Sequence, residues 1–358
     1  MLQEKIEAWL SRAVPDRAVN QCFDLSAVLA TDIGLARSEN QDRVAALRFN
    51  TKSTSGRPLI AVAVADGMGG MRDGAKCATL ALSSFFHALI LHRNHPIETR
   101  VNAAIGYAND TVFRFAGGRG GATLSAVLLD HQLRPFIVHL GDSRIYSFGS
   151  GTKVERLTTD DSLEEAVGGH GRDLLQFVGM GEGMQPHVQP ISTSIKHLGI
   201  TTDGIHFIEF STIESILSHA NDLKPASERL AAIARWCGGA DNASSALVDL
   251  QSLMREIGNG FENVIQLWDP FGSLTAVWIR PDGPSPEERL ASPVAAEMPG
   301  AAKPATAEQE NSDPKRLKRK PPSKKSRKPK NNAPKEDIQL QIHIEPSPDR
   351  DESDEDSR

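Results

Sequence analysis

Four aspartates in the chain share one setting, because each stands at or just after the end of an apolar run and is followed by Gly, Ser or Asn. They are Asp66 in LIAVAVADGMGG, Asp142 in FIVHLGDSR, Asp203 in LGITTDG and Asp241 in GGADNAS. Any one of them alone is better explained as a turn, since Asp and Gly suit turn dihedrals. Four carboxylates that strand ends bring to one place repel each other, and a divalent cation is the usual compensation.

The predicted ion site consists of oxygen ligands. The three cysteines, Cys22, Cys77 and Cys237, lie far apart with no CxxC pair, which argues against a thiolate zinc site and a disulfide framework. Carboxylate and carbonyl oxygens suit Mg²⁺ or Mn²⁺ better than Zn²⁺. The glycine after Asp66 leaves room for its own carbonyl to approach an ion.

A fifth acidic residue and an arginine share a short motif just before an apolar run. Asp42 ends the segment ARSENQD, and the apolar run begins at Val44. Arg37 in the same segment offers a planar fork of donors for an anionic group. We therefore expect an anion to bind beside the ions.

The elements that must position these residues follow from hydrophobic periodicity. Strand-like runs come in consecutive pairs and long helix-like stretches come in blocks, without regular alternation. This pattern predicts an α+β layered fold and not a parallel doubly wound sheet. The predicted strands are Ala27–Ile33, Arg43–Phe49, Leu59–Ala65, Thr123–Leu129, Arg134–Leu140, Arg144–Phe148, His197–Thr202 and Leu274–Arg280, and the predicted helices are Leu2–Val14, Gly74–His92, Ile97–Phe115, Asp161–Val167 and Ser227–Trp236.

Composition divides the chain into a folded body and a tail. With 39% apolar and 24% charged side chains, the chain can bury a substantial core. Residues 1–280 can form one large domain. From Pro281 onward the apolar pattern stops and Pro, Ala, Ser and charged residues dominate, so we expect residues 281–358 to be a disordered tail. The longest apolar run, Leu59–Ala65, is too short to cross a membrane, and no signal pattern opens the chain.

The predicted tail divides by charge. Residues 315–358 hold 13 Lys+Arg against 9 Asp+Glu, whereas residues 1–314 hold 27 against 37. A basic block covers Lys315–Lys330, and an acidic end covers residues 336–358. Within that end, Ile338–Ile344 alternates apolar and polar residues, which is typical of an extended strand that could add to a partner's sheet edge. Solvated tail is the equal alternative for this segment.

Read in order, the motifs resemble one family. RSENQD, ADGMGG, GGATLSAVLL, HLGDSRIY, LTTDDSL, TTDGI and GGADNAS look like the metal-dependent protein phosphatases, the type 2C serine/threonine phosphatases, in their bacterial form. The motifs extend from about Ala27 to Leu247. The resemblance implies a two-sheet antiparallel β-sandwich flanked by pairs of antiparallel helices, with the ions in a cleft at one end.

The resemblance also implies which residues hold the ions. Asp66 would bridge two ions, and Gly67 would give a carbonyl ligand to one of them. Asp203 and Asp241 would complete the other. Asp142 matches the aspartate that helps to bind a third, weaker ion in bacterial members. The implied cofactors are two Mn²⁺ or Mg²⁺ ions.

Catalysis by this family implies roles for two further residues. Asp42 matches the acidic residue that helps to hold metal-bound water, and Arg37 matches the arginine that grips the phosphate. Together with Asp66 they form the predicted catalytic set. Paired cations lower the pKa of a water and hold it in line with phosphorus. The implied activity is hydrolysis of phosphoserine and phosphothreonine on proteins, with a serine/threonine kinase or its target as the expected partner.

The sequence departs from the family pattern at several points. Gln41 stands where many members have Glu, so weaker ion affinity is expected there. Met68 stands where animal members carry a His proposed as general acid, so the leaving group must take its proton elsewhere. The glycine-rich segment Thr159–Gln189 is either a mobile flap beside the cleft or an ordinary surface loop. The WDPFGSLTAVWI stretch predicts an extra edge element.

Two other classes of function stay open at this level. A catalytically silent phosphoprotein-binding or scaffold module would keep the fold without turnover. A nucleic-acid-associated protein would use the ten Lys and Arg residues of Lys315–Lys330 to neutralise phosphates, with salt-dependent and non-specific binding. The same block could dock an acidic partner of a phosphatase. Widely spaced cysteines fit a reducing compartment, so a cytoplasmic location is expected.

Overall fold

The computed structural model describes residues 2–51, 57–68, 73–168, 173–257, 263–279 and 339–346. The chain divides into two compact units, Met1–Trp278 with Leu340–Arg358, and Ile279–Gln339. Nearly all of the second unit lies outside the described residues. The basic block Lys315–Lys330 and the acidic end apart from Gln339–Pro346 lie outside them as well.

Two β-sheets form the centre of the first unit. Neighbouring strands from β1 to β13 pair antiparallel. The first sheet has the order β1-β2-β11-β10-β7-β8, and the second has the order β14-β13-β12-β3-β4-β5-β6-β9. The strands are β1 Arg17–Cys22, β2 Ala27–Asp32, β3 Asp42–Asn50, β4 Leu59–Asp66, β5 Leu124–Asp130, β6 Pro135–Leu140, β7 Arg144–Phe148, β8 Glu155–Arg156, β9 His187–Pro190, β10 His197–Thr201, β11 Ala243–Asp249, β12 Val264–Asp269, β13 Gly272–Ile279 and β14 Gln339–Pro346.

Helices cover the outer faces of both sheets. The helices are α1 Leu2–Leu10, α2 Gly74–Leu91, α3 Ile97–Ala116, α4 Leu163–Val167, α5 Asp203–His206, α6 Phe210–Ser218, α7 Leu223–Trp236 and α8 Leu250–Glu256. Helices α1, α2 and α3 share one core with the second sheet, and α5, α6 and α7 share another with the first sheet. This arrangement confirms the predicted α+β sandwich.

Strand β4 shows how one strand serves two cores. Its residues Leu59–Ala65 are all buried, which explains the uninterrupted apolar run. Side chains alternate across a strand, so Ala61 and Ala63 face the helices while Val62 and Val64 face the opposite sheet. Alanines let α2 approach closely on one side, and the larger Val side chains fill the space between the sheets.

All eight predicted strands and all five predicted helices are present, with small shifts in their ends. Helix α1 ends at Leu10 and not at Val14. Arg12 folds back and donates from Nη1 to the carbonyl oxygen of Trp9 at 2.7 Å, which satisfies a terminal acceptor of the helix. Pro15 then disfavours helical backbone at Val14.

One segment of the predicted disordered tail is instead a strand in the structure. Gln339–Pro346 forms β14, which lies beside β13 at the edge of the second sheet. The alternating segment thus adds to the chain's own sheet. The WDPFGSLTAVWI stretch supplies the last two residues of β12 and all of β13, and β12 pairs with β3. Residues 281–338 and 347–358 lie outside the described part.

By length and composition, α2 is the one helix among the described residues that is apolar enough to span a membrane. In the fold 83% of that helix is buried inside the protein. Cys77, Phe85 and Phe86 on α2 are fully buried against the second sheet. The helix therefore serves here as a core helix of the sandwich.

Candidate active site

The site forms where strand starts and strand ends of the two sheets coincide. In the antiparallel pair β3 and β4, Asp42 at the start of one strand lies opposite Asp66 at the end of the other. In the other sheet, Arg144 at the start of β7 lies opposite Thr201 at the end of β10. Thr201 in turn lies opposite Ser245 near the start of β11. Along the chain, Asp142 lies two residues before Arg144 and Asp203 lies two residues after Thr201. Asp241 lies two residues before the start of β11.

Asp42 is almost fully buried, with 3% of its surface exposed. Its Oδ2 accepts a hydrogen bond from Thr202 Oγ1 at 2.9 Å. Its Oδ1 is buried and has no hydrogen-bond partner. Burial raises the pKa of Asp42 to about 7, and the charges of Asp203 and Asp241 add to the shift. A buried carboxylate oxygen without a donor is costly, so this site favours a cation or a donor that approaches Oδ1.

Asp66 is held through its backbone. Its amide donates to Thr123 Oγ1 at 2.9 Å, and that hydroxyl shares a 2.8 Å hydrogen bond with Ser143 Oγ. Ser143 follows Asp142 directly, so one hydroxyl pair fixes both acidic segments. Gly67 donates its amide to the carbonyl oxygen of Gln41 at 3.2 Å. A Cβ at Gly67 would overlap the Gly74 carbonyl, so only glycine fits this position.

The acidic side chains repel each other. Burial raises the pKa of Asp66 well above its ordinary value, and Asp42, Asp203, Asp142 and Asp241 contribute in that order. Burial also raises the pKa of Asp142 to about 7, with Asp203 the next cause. The five carboxylates therefore act on a common centre, where one of them, Asp241, is paired with Arg37.

Arg37 is the cation that faces this cluster. Its Nη2 donates to Asp241 Oδ2 at 2.6 Å, and 39% of its side chain is exposed. The hydrogen bond to Asp241 raises the pKa of Arg37, and the charges of Asp241, Asp203 and Asp66 act in the same direction. The guanidinium thus lies at the mouth of the cluster, where an incoming anion can reach it.

Asn242 fixes the loop that carries Arg37. Its Oδ1 accepts from the Gln41 amide at 2.7 Å, and its Nδ2 donates to the carbonyl oxygens of Ile33 and Glu39 at 2.9 and 3.1 Å. Asn242 is itself buried and follows Asp241. One side chain therefore connects the arginine loop to the segment of Asp241.

The donor set fits hard divalent cations. The oxygens come from carboxylates and from the peptide carbonyl of Gly67, and Mg²⁺ and Mn²⁺ prefer such ligands. The buried Oδ1 of Asp42 and the raised pKa values of Asp42 and Asp66 indicate that a cation would be favourable at this centre. Within the described residues, no group of three or more His, Cys, Asp or Glu side chains is already drawn together at ligating spacing.

The structure thus brings together every residue that the sequence singled out. They are Arg37, Asp42, Asp66, Gly67, Asp142, Asp203 and Asp241. One detail of their setting is different from the prediction, since Asp241 precedes β11 and does not follow an apolar strand. In an antiparallel sheet the start of one strand lies beside the end of its neighbour, so the two settings lead to the same place. Their roles as ligands and catalysts stay predictions.

Sequence reasoning missed the residues that hold the acidic ones. Thr202 binds Asp42, Thr123 binds the Asp66 amide, and Asn242 ties the loops together. All three stand inside motifs that the sequence does display, namely TTDGI, GGATLS and GGADNAS. Their presence there is the signal that identifies them. None of the three is itself a candidate ion ligand, so ion chemistry alone does not point to them.

Comparisons with known proteins agree with this geometry. The family model for protein phosphatase 2C matches residues 36–250. The PPM Ser-Thr phosphatase MsPP from Mycobacterium smegmatis, crystallised in complex with cacodylate, matches with 26% identity and a TM-score of 0.52, over 63% of this chain and 98% of that one. No curated protein sequence matches the chain.

Two further solved structures share the fold. The serine/threonine phosphatase PstP/Ppp from Mycobacterium tuberculosis has 23% identity and a TM-score of 0.52, over 63% of this chain and 98% of that one. Stp1 from Staphylococcus aureus has 18% identity and a TM-score of 0.54, over 63% and 94%. The family match covers more than half of the chain and includes every residue of the acidic cluster. The chain therefore belongs to the protein phosphatase 2C family and is a serine/threonine protein phosphatase.

Proposed function

We propose that the protein removes phosphate from phosphoserine and phosphothreonine in proteins by metal-dependent hydrolysis. The observation that carries this proposal is the convergence of five carboxylates on one centre beside Arg37. A structure of a PstP catalytic domain in complex with two manganese ions, 24% identical with a TM-score of 0.50, supports the metal dependence.

The residues of the cluster would divide the ions between them. Asp66, the Gly67 carbonyl, Asp203 and Asp241 would hold two Mn²⁺ or Mg²⁺ ions, and Asp142 would help to hold a third, weaker one. When bound, such ions supply a water of lowered pKa and neutralise phosphoryl charge. The buried Oδ1 of Asp42 is available as an acceptor for a proton of that water.

Arg37 would orient the phosphate. Its guanidinium is partly exposed and now binds Asp241, so a phosphate can take over part of its donor fork. Stabilising the charge of the transition state in this way contributes on the order of 10²-fold or more to the rate. Met68 follows Gly67 and has no ionisable group, so the leaving oxygen must take its proton from water or another donor.

The expected substrate is a phosphorylated protein, namely a serine/threonine kinase or its target. The charged tail is proposed to dock or localise the enzyme, through an acidic partner or nucleic acid that meets the Lys315–Lys330 block. A cytoplasmic location remains part of the proposal. A catalytically silent phosphoprotein-binding module is the alternative, and the following experiment separates the two.

The test is turnover of para-nitrophenyl phosphate and of a phosphothreonine peptide with Mn²⁺ or Mg²⁺. EDTA and Asp66→Asn are expected to abolish turnover, whereas Asp110→Asn on the exposed face of α3 removes the same charge and should leave it intact. Binding of Mn²⁺ is followed separately by calorimetry. A folded protein that binds phosphopeptide without turnover would establish the silent module and make Gln41→Glu the next variant.

A further inference from the structure

A groove of about 770 Å³ lies outside the acidic cluster, between helix α7 and strands β1 and β2. Ala231, Ala232 and Trp236 line it from α7. Trp236 is 83% exposed, the largest exposed fraction of any large apolar side chain among the described residues. A tryptophan in water beside a cavity of this size is typical of a binding surface.

The groove is continuous with the loop that carries Arg37. Asp32 lines the groove, and its Oδ1 accepts hydrogen bonds from the Gly34 amide at 2.8 Å and from Arg235 Nη1 at 2.9 Å. Gly34 lies so close to the backbone of residues 239–241 that a Cβ there would be 2.8 Å from the Gly239 carbonyl oxygen. The Leu35 amide also donates to that oxygen at 2.7 Å. Along the chain, only residues 33–36 separate Asp32 in the groove wall from Arg37.

Strand register places the groove at the catalytic end of the sandwich. Asp32 at the end of β2 lies opposite both Arg17 at the start of β1 and Ala243 at the start of β11. Ala243 is two residues beyond Asp241. The groove therefore lies at the same end of the sandwich as the segment that carries Asp241.

The charges of the groove point to the chemistry of its occupant. Arg235 is paired with Asp32, and the pair leaves little net charge on that wall. Arg17 and Lys224 also line the groove and supply two cations, whereas Glu228 is its other acidic residue. The groove therefore suits an extended segment that carries an apolar side chain for Trp236 and an acidic side chain for the cations.

We propose that this groove binds the polypeptide flanking the phosphorylated residue of a protein substrate. An apolar side chain of that polypeptide packs against Trp236, and an acidic one lies near Arg17 and Lys224. The inference rests on the proposed function, because it takes the phosphate to Arg37. It assigns substrate preference to residues that contribute nothing to the metal cluster.

The kinetic test compares two substrates on the full-length protein with Mn²⁺. The probes are para-nitrophenyl phosphate, which is too small to reach the groove, and phosphothreonine peptides with leucine and aspartate placed at each flanking position in turn. Trp236→Ala is expected to lower kcat/KM for the best peptide about tenfold more than for para-nitrophenyl phosphate, mainly through KM. Phe23→Ala is the matched control, since Phe23 is 73% exposed but follows β1 at the far end of the strand.

Equal losses on both substrates, or no loss on either, would overturn the inference. Charge reversal at Lys224 to Glu should shift the peptide preference from flanking aspartate towards flanking lysine, which a general loss of stability cannot do. An unchanged preference would count against the acidic half of the proposal.

A binding arm separates this inference from the proposed function. Anisotropy of the labelled best peptide is measured with the Asp66→Asn protein, with and without Trp236→Ala. If the wild-type protein shows no turnover but peptide affinity depends on Trp236, the hydrolytic function fails and the groove assignment stands. If turnover occurs and peptide affinity is independent of Trp236, the groove assignment alone is wrong.

Discussion

Arg37 donates from Nη2 to Asp241 Oδ2 at 2.6 Å, so the residue expected to grip phosphate is bound to a residue expected to hold an ion. Both ends of this pair are partly exposed. A divalent cation at Asp241 would compete with the guanidinium for the same carboxylate. Ion binding would thereby release Arg37 for the phosphate, and the two events would be coupled through one hydrogen bond.

Removing the guanidinium separates these two roles. Arg37→Ala is expected to lower kcat about 10²-fold, because the phosphate loses a charged donor in the transition state. The same variant should bind Mn²⁺ more tightly, because Asp241 loses its competitor. Arg37→Lys keeps the charge without the planar fork and should recover little of the rate. Steady-state kinetics and calorimetric Mn²⁺ titration check the pair, and weaker Mn²⁺ binding by Arg37→Ala would contradict the competition.

Thr202 is expected to matter for activity although it is no ligand. Thr202→Val keeps the shape of the side chain and removes the 2.9 Å hydrogen bond to Asp42 Oδ2. Loss of a hydrogen bond to a buried carboxylate costs about 1–3 kcal/mol, so Asp42 should lose its orientation and kcat should fall about tenfold or more. Thr212→Val, at a half-buried position of α6, is the control. Equal kcat values for both variants would show that Asp42 needs no such support.

A strand could be predicted from the sequence where its burial produces a continuous apolar run. A strand whose buried side chains are polar and hydrogen-bonded could not. Strand β4 is buried on both faces and could be found from its apolar run alone. The sequence does not predict strand β11, because two serines interrupt the apolar pattern of ASSALVD, although β11 lies between β2 and β10 in the first sheet. Its serines form buried hydrogen bonds, Ser244 with Thr31 and Ser245 with Ser227, which no sequence pattern displays.

The site was predictable for a different reason. Aspartates that follow or precede strands can be recognised one by one, and an antiparallel sandwich brings them to the same end. The hydroxyl and amide groups that orient them could not be ranked from residue type, because Thr123 and Thr202 are two among many threonines. Their partners become evident only from the three-dimensional contacts.

Two glycines give a matched test of the close approach at the site. Gly67→Ala is expected to lower the free energy of unfolding several times more than a substitution of an exposed residue does. The new Cβ would overlap the Gly74 carbonyl and lie 2.9 Å from the carbonyl oxygen of Gln41. Gly106→Ala in α3 meets no atom within 4 Å and should stabilise the protein by about 0.5–1 kcal/mol. Urea unfolding of both variants checks the prediction, and similar effects of the two changes would contradict it.

The turn between β12 and β13 is joined to the end of α1 by an ion pair. Asp269 is 3% exposed and accepts two hydrogen bonds from Arg12, at 2.5 and 3.0 Å, and one from the Phe271 amide at 2.9 Å. Asp269→Asn should cost about 1–3 kcal/mol of unfolding free energy, because the carboxylate charge is lost and one of its two acceptor oxygens is replaced by an NH₂ group, which cannot accept from Arg12. Asp16→Asn, on an exposed residue of the adjacent loop, should cost little. If chemical denaturation gives the same loss of unfolding free energy for both variants, the ion pair between Arg12 and Asp269 makes no specific contribution to stability.

The buried histidine of α5 predicts a loss of stability in mild acid. His206 is buried, bonds Thr201 Oγ1 through Nδ1 at 2.9 Å, and burial holds its pKa well below the ordinary value, with Arg144 and Arg156 adding to the shift. The folded protein keeps this imidazole neutral, whereas the unfolded chain takes up a proton below about pH 6.5, so stability is present above that pH and is lost as the pH falls. The loss from this group is about 1.4 kcal/mol at one pH unit below 6.5.

The acidic cluster acts in the opposite direction, since the raised pKa values of Asp66 and Asp142 make the metal-free fold gain stability as the pH falls. A single stability curve therefore cannot reveal the contribution of His206, but a difference between two proteins can. His206→Asn retains a polar partner for Thr201 and cannot be protonated. Between pH 7.5 and 5.5 its unfolding free energy should fall less than that of the wild type by about 1.4 kcal/mol, measured by urea denaturation with EDTA present. Parallel curves for the two proteins would show that His206 is as easily protonated in the fold as in the unfolded chain.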